Sequence, residues 1–127
     1  MNKRSVKTPH IELVMETNGI LKAYYQPNVI IDGEIALHIL ETRKKFVGLE
    51  KPVPVMLYNL GVIEMDREAQ EILAGPQGVE GICASAFLIN SSTTIIMSFI
   101  LKIKRPPIPV KGFFKESEAL KWLEKYL

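Results

Sequence analysis

The sequence predicts a mixed α/β domain that opens with an antiparallel hairpin and continues as alternating helices and strands, with a partly parallel sheet. Three observations carry that expectation. Asn18-Gly19 joins two short segments of alternating apolar residues, and such a pair between alternating hydrophobics is a strong local signal for a hairpin. Further along, apolar residues recur at helical spacing. Between those helical stretches lie short, nearly continuous apolar runs, the pattern of strands covered on both faces and joined by right-handed crossovers.

The hairpin takes residues 10–17 and 20–26. A two-residue loop would set Glu12 and Glu16 on the face that carries Leu21 and Tyr25. A three-residue loop, Thr17-Asn18-Gly19 with Gly19 left-handed, instead gathers Ile11, Leu13 and Met15 with Leu21, Ala23 and Tyr25. The second register is preferred, because a slip of one residue turns every side chain to the other face. The basic start, Met1-Asn2-Lys3-Arg4-Ser5-Val6-Lys7, lacks the apolar run of a secretory signal, and residues 1–9 read as a flexible arm.

Asp32 is the expected N-cap of a helix reaching Val47. Ala36, Ile39, Leu40 and Phe46 or Val47 form its apolar stripe, Thr42-Arg43-Lys44-Lys45 its wet side and Gly48 its stop. Residues 53–59 read as a strand, with Pro52 and Pro54 at its entrance, where a missing donor does least harm. Asp66 caps a second helix that turns Ala69, Ile72 and Leu73 inward and ends at Gly75-Pro76. Residues 79–89 then read as a central strand. Asn90 or Ser91 opens a third helix through Ile103, halted by Pro106-Pro107, and residues 110–114 form the last strand. Ala119, Leu120, Trp122, Leu123 and Tyr126 face inward from a C-terminal helix.

A chain of 127 residues with 47% hydrophobic side chains fits one domain with a core of its own. A net charge of +2 is too mild to imply nucleic acid as an obligatory partner. The single cysteine, Cys83, excludes an internal disulfide; set among small and apolar neighbours, it reads as a buried, inert thiol in a reducing, cytoplasmic setting. The longest strongly apolar stretch, residues 95–101, includes Ser98 and falls short of the ~20 residues that span a bilayer, so no transmembrane segment is expected.

The most informative stretch is Gly61-Val62-Ile63-Glu64-Met65-Asp66-Arg67-Glu68-Ala69, where an apolar strand passes into a capped helix. Together with the layout above, it resembles the STAS domain of bacterial anti-sigma-factor antagonists, in which a strand leads through Gly-Val into Met-Asp-Ser-Ser-Gly. The ending Gly112-Phe113-Phe114-Lys115-Glu116-Ser117-Glu118-Ala119-Leu120-Lys121-Trp122-Leu123 is similar to the closing strand and Ala-Leu-x-Trp-Leu helix of small, largely uncharacterised bacterial STAS/SEC14-like proteins. The resemblance implies a STAS-like fold and a regulatory or scaffolding domain that acts by protein–protein contact. In the antagonists a serine beside the helix N-terminus is phosphorylated by a partner kinase. Here Arg67 and Glu68 stand at the two serine positions and Ala69 replaces the glycine, so the phosphate has no acceptor. Glu68 places a permanent carboxylate in the first turn, where the helix dipole favours it by roughly 0.3–1 kcal/mol. It is either a helix-end residue or a locked imitation of the phosphorylated state.

No catalytic motif, metal-ligand spacing or phosphate-binding loop is present, so the sequence predicts a non-enzymatic protein without catalytic residues, metal or cofactor. His10 and His38 have no cysteine or carboxylate at ligand spacing. Asn59, Gly61, Asp66, Arg67 and Glu68 are the candidate contact residues at the strand–helix junction. The third helix is apolar on more than one face, which makes Ile96, Phe99 and Ile100 candidates for a contact with a protein partner, first of all a second copy in a homodimer. An apolar or amphipathic, lipid-like ligand between that helix and its neighbours is the alternative. Ser91, Ser92 and Thr93 at its start, with Lys104 and Arg105 beyond its end, form a candidate anion site.

Overall fold

The computed structural model describes residues 4–62, 64–89 and 108–127. In chain order these form β1 (Arg4–Lys7), β2 (Ile11–Met15), β3 (Leu21–Tyr25), β4 (Ile30–Ile31), α1 (Gly33–Val47), β5 (Val53–Asn59), β6 (Glu64–Met65), α2 (Arg67–Ala74), β7 (Ile82–Leu88), β8 (Val110–Phe113) and α3 (Glu116–Glu124). One six-stranded sheet runs in the order β1-β2-β3-β5-β7-β8, and β4 and β6 pair separately. The pairs β1/β2 and β2/β3 are antiparallel, and β3/β5, β5/β7 and β7/β8 are parallel.

The hairpin adopts the register of the three-residue loop. Met15 lies opposite Leu21, Leu13 opposite Ala23 and Ile11 opposite Tyr25. Gly19 has φ +100°. The Glu16 amide donates to the Ile20 carbonyl at 3.0 Å, and the Asn18 side chain accepts from the Ile20 amide at 3.1 Å. Ile11, Leu13, Leu21 and Ala23 are all buried, so the alternation serves one core face.

Residues 4–7, expected to lie in a flexible arm, instead form an edge strand. Arg4 lies opposite Met15 and Lys7 opposite Glu12, a cross-strand pair of unlike charges. Thr8 turns the chain into β2, its hydroxyl oxygen accepting from the amides of His10 at 3.2 Å and Ile11 at 3.1 Å. Val6 packs against the core, and the Arg4 guanidinium lies 5.1 Å from the centre of the Phe46 ring. Cationic residues that suggested a frayed terminus are thus the ones that suit a sheet edge, where they discourage pairing with another chain.

Helix α1 begins at Asp32, whose carboxylate accepts from the Ile35 amide at 2.9 Å, and stops at Gly48. Ala36, Ile39 and Leu40 are buried, as the stripe requires. Arg43 does not lie on the wet side: it is only 8% exposed and donates to the carbonyls of Gly78 at 2.8 Å and Glu80 at 2.7 Å. Position 43 follows Ala36 by seven residues and Leu40 by three, which puts it on the inward face of the helix. Its guanidinium satisfies carbonyls of the loop between α2 and β7 that would otherwise lack donors.

Helices α1 and α2 cover one sheet face, where Leu13, Leu21, Val55, Ile39 and Ala69 share a core. The opposite face carries α3, whose Ala119 and Leu123 pack with Met56, Ala84 and Ala86. Strand β7 lies inside the sheet between β5 and β8, as expected, but starts at Ile82 rather than at position 79. The residues before it form a turn in which the Val79 amide bonds the Gly75 carbonyl at 3.2 Å and the Ile82 amide bonds Val79 at 3.0 Å. The helix expected over residues 93–103 lies outside the described residues.

Candidate functional site

Strand β5 ends at Asn59, whose side-chain oxygen accepts from the amides of Gly61 at 2.9 Å and Val62 at 2.8 Å. A short polar side chain that bonds its own backbone two and three residues on holds a tight turn. The turn is tied to its neighbours as well: the Leu60 amide donates to Tyr25 at 3.0 Å and the Asn28 amide to Gly61 at 2.8 Å. Beyond it, Ile30 pairs with Glu64 and Ile31 with Met65 in parallel. The Asp66 amide then bonds the Ile31 carbonyl at 3.1 Å, and the Asp66 carboxylate caps α2 through the Ala69 amide at 2.8 Å. Candidate residues Asn59, Gly61 and Asp66 therefore hold the junction's backbone.

Arg67 and Glu68 point outward. Arg67 is bonded along α2 to Glu71, at 3.4 Å. Glu68 is exposed, and its side chain fills the space beside Gly33, where a Cβ would overlap its carboxyl group. Gly33 is the first residue of α1 and Glu68 belongs to the first turn of α2. The carboxylate thus stands at two helix N-termini, and both dipoles favour its charge. The sequence reveals only one of them, because the approach of α1 depends on a glycine thirty-five positions earlier. Candidate residues Ile96, Phe99, Ile100, Ser91, Ser92, Thr93, Lys104 and Arg105 lie outside the described residues.

Because β3, β5, β7 and β8 are parallel, their C-terminal ends share one rim of the sheet. Leu60 follows β5, Phe114 follows β8, and Ile30 lies in β4 beside the junction; they are 52%, 82% and 54% exposed. These residues escaped the sequence reading. The available signal was an apolar residue placed just past the end of a strand, next to a turn.

A cavity of about 110 Å³ opens on the sheet face that carries α1 and α2. Its walls include Leu57, Met65, Leu73 and Phe87, and among them stand the polar side chains of Tyr25, Arg43 and Ser85. Burial pushes the Tyr25 phenol above its usual range, against the opposing pull of the Arg43 charge. Burial also lowers the Arg43 guanidinium, and Tyr25 and Glu80 act in the other direction. Elsewhere, Cys83 is half-buried rather than fully enclosed, and burial raises its thiol. His10 and His38 meet edge to face at 6.5 Å, yet no cluster of three or more potential metal ligands exists among the described residues.

Among the described residues, no helix is long and apolar enough to cross a membrane. No curated protein matches the chain. The chain is similar to a solved structure, an uncharacterised protein of the DUF3478 family with a SpoIIAA-like fold from Shewanella loihica PV-4. The two are 12% identical, the match covers 96% of this chain and 92% of that one, and the TM-score is 0.52. At that identity the likeness shows the fold, which is SpoIIAA-like and therefore STAS-like. A family model described as "Domain of unknown function (DUF7793)" matches residues 13–127. The chain, a STAS-like α/β fold with antiparallel strands at one edge, thus belongs to the DUF7793 family.

Proposed function

We propose that this protein is a non-enzymatic regulatory or scaffolding domain that acts by protein–protein contact through the rim at the C-terminal ends of its parallel strands. The observation that carries the reading is a pairing of opposites at that rim. The backbone of residues 59–62 and 64–66 is held by the Asn59 and Asp66 side chains and by β4, while Leu60 and Ile30 beside it, and Phe114 two strands further along the rim, remain open to solvent. Apolar side chains on a preorganised backbone lose little entropy when covered, and contact sites draw affinity from that. Arg67 and Glu68 add charge at the border of the patch. The setting is the bacterial cytoplasm, and the first partner is a second copy of this chain.

Sedimentation equilibrium of the wild type and of the Leu60→Glu/Phe114→Glu variant tests the self-contact. The reading expects a dimer that becomes a monomer with unchanged circular dichroism. A dimer untouched by the double substitution would remove the rim from the contact.

A second reading has its own observation. The cavity beside Arg43 supports a binding module for an apolar or amphipathic ligand.

A further inference from the structure

The charge on Arg43 is buried with no carboxylate bonded to it among the described residues, and the Glu80 charge acts on it only from a distance. The side chain is 8% exposed, and its hydrogen bonds run to two neutral carbonyls, Gly78 and Glu80. The acidic group closest in sequence to these partners, the Glu80 carboxylate, turns instead to Lys44, with Nζ at 2.9 Å. Arg43 nevertheless lines the cavity, and the rest of its guanidinium fork has no acceptor among the described residues. A guanidinium cannot discharge by losing its proton at ordinary pH, so the charge persists in surroundings that are largely apolar. Buried charges of this kind are compensated by a partner of opposite sign.

Resting on the reading of the cavity as a ligand site, we propose that it binds a short-chain monocarboxylate, with the carboxylate on Arg43 and the alkyl chain against Leu57, Met65 and Phe87. Charge and shape agree on this occupant. A carboxylate matches the planar fork of an arginine through paired N–H donors. The volume of about 110 Å³ is smaller than the roughly 150 Å³ engineered cavity that holds benzene, which restricts the enclosed portion to a few carbon atoms. Ser85, 7% exposed and bordering the same space, adds a hydroxyl. The Tyr25 phenol, kept protonated by burial, adds a second neutral donor.

The test uses sodium hexanoate and its neutral counterpart hexan-1-ol, titrated separately into the full chain. The readout is the methyl region of the carbon–proton NMR spectrum, in which Met65 and Leu57 report the cavity. Hexanoate should shift the methyl signals of both residues saturably and bind at least about tenfold more tightly than the alcohol, the worth of one charge-assisted contact. In Arg43→Met that preference should disappear while alcohol binding persists. If both probes bind the wild type equally, the carboxylate proposal falls and the cavity remains a ligand site. If neither probe shifts these methyl groups, both ideas fall. Should Arg43→Met fail to fold, the comparison of the two probes on the wild type decides the question alone, and Arg43→Lys, which keeps the charge without the fork, should bind hexanoate more weakly than the wild type.

Discussion

Glu68 occupies the space that a side chain on Gly33 would need. The contact joins the first turns of α1 and α2, which are also linked by packing, by the short β4–β6 pair and by the bond from the Asp66 amide to the Ile31 carbonyl. It also makes the two positions energetically dependent on each other. Gly33→Ala lowers the entropy of the unfolded chain, a gain of roughly 0.4–1 kcal/mol where the native backbone accepts it. In the wild type that gain is offset, because Glu68 must swing away from both helix ends. In a Glu68→Ala background it should appear in full. Urea unfolding of the four members of this cycle measures the coupling, and additivity would mean that Glu68 merely rests there.

The junction should lose its shape when its side-chain bonds are removed. Asp66→Ala deletes the cap on α2 and should cost about 0.5–2 kcal/mol. Asn59→Ala removes the acceptor of the Gly61 and Val62 amides and should raise hydrogen exchange at those two amides while leaving β7 protected. Amide exchange followed by NMR separates this local loosening from global destabilisation.

Arg43 and Lys44 are neighbours with opposite fates. Arg43, itself buried, holds two carbonyls of the loop between α2 and β7, whereas Lys44 meets Glu80 with both side chains partly in solvent. Arg43→Ala should therefore destabilise by at least about 1–3 kcal/mol, the cost of leaving a buried polar group unpaired. Lys44→Ala should cost about 0.2–1 kcal/mol, as exposed pairs do. Chemical denaturation of the two variants orders them, and equal losses would contradict the buried role of Arg43.

Alkaline pH should weaken the fold through Tyr58. Its ring stacks on Tyr24 with centres 4.5 Å apart, and its hydroxyl donates to the Glu116 carboxylate. Burial, then that hydrogen bond and the charge of Glu116, push the phenol above its usual value of 10.0. The folded state thus keeps a proton that the unfolded chain releases near pH 10.0. The stabilisation is complete below that pH and declines above it. Tyr58→Phe should be less stable at neutral pH and should lose stability less steeply above pH 10.0 than the wild type, as read by denaturation at several pH values.

Much of this fold was legible because local chemistry and global packing agree. Asn18-Gly19, Asp32 and Asp66 each act where their short-range roles put them, and the alternation around Leu13 and Ala23 fixed the hairpin register. Arg43 was misread because charge was given more weight than helical position, and the partners that make its burial tolerable, Gly78 and Glu80, are distant in sequence. Strand β1 was hidden for a related reason, since four largely exposed residues at a sheet edge carry no periodic signal. The site divides in the same way. Asn59 and Asp66 follow from sequence, whereas the approach of Glu68 to Gly33 and the shared rim of Leu60 and Phe114 exist only once the strands are parallel neighbours.

The central claim is that the rim bearing Leu60 makes the functional contact, and site-specific photo-crosslinking in living cells of the source organism tests it most directly. A benzophenone amino acid replaces Leu60 in one strain and Leu49 in another; Leu49 is comparably exposed, at 42%, but lies in the connection before β5, away from the rim. The account predicts one discrete adduct from position 60, with this chain or one other protein, none from position 49, and loss of the adduct when Phe114→Glu is added. Identical crosslinking at both positions, or no discrete adduct at position 60, would contradict it.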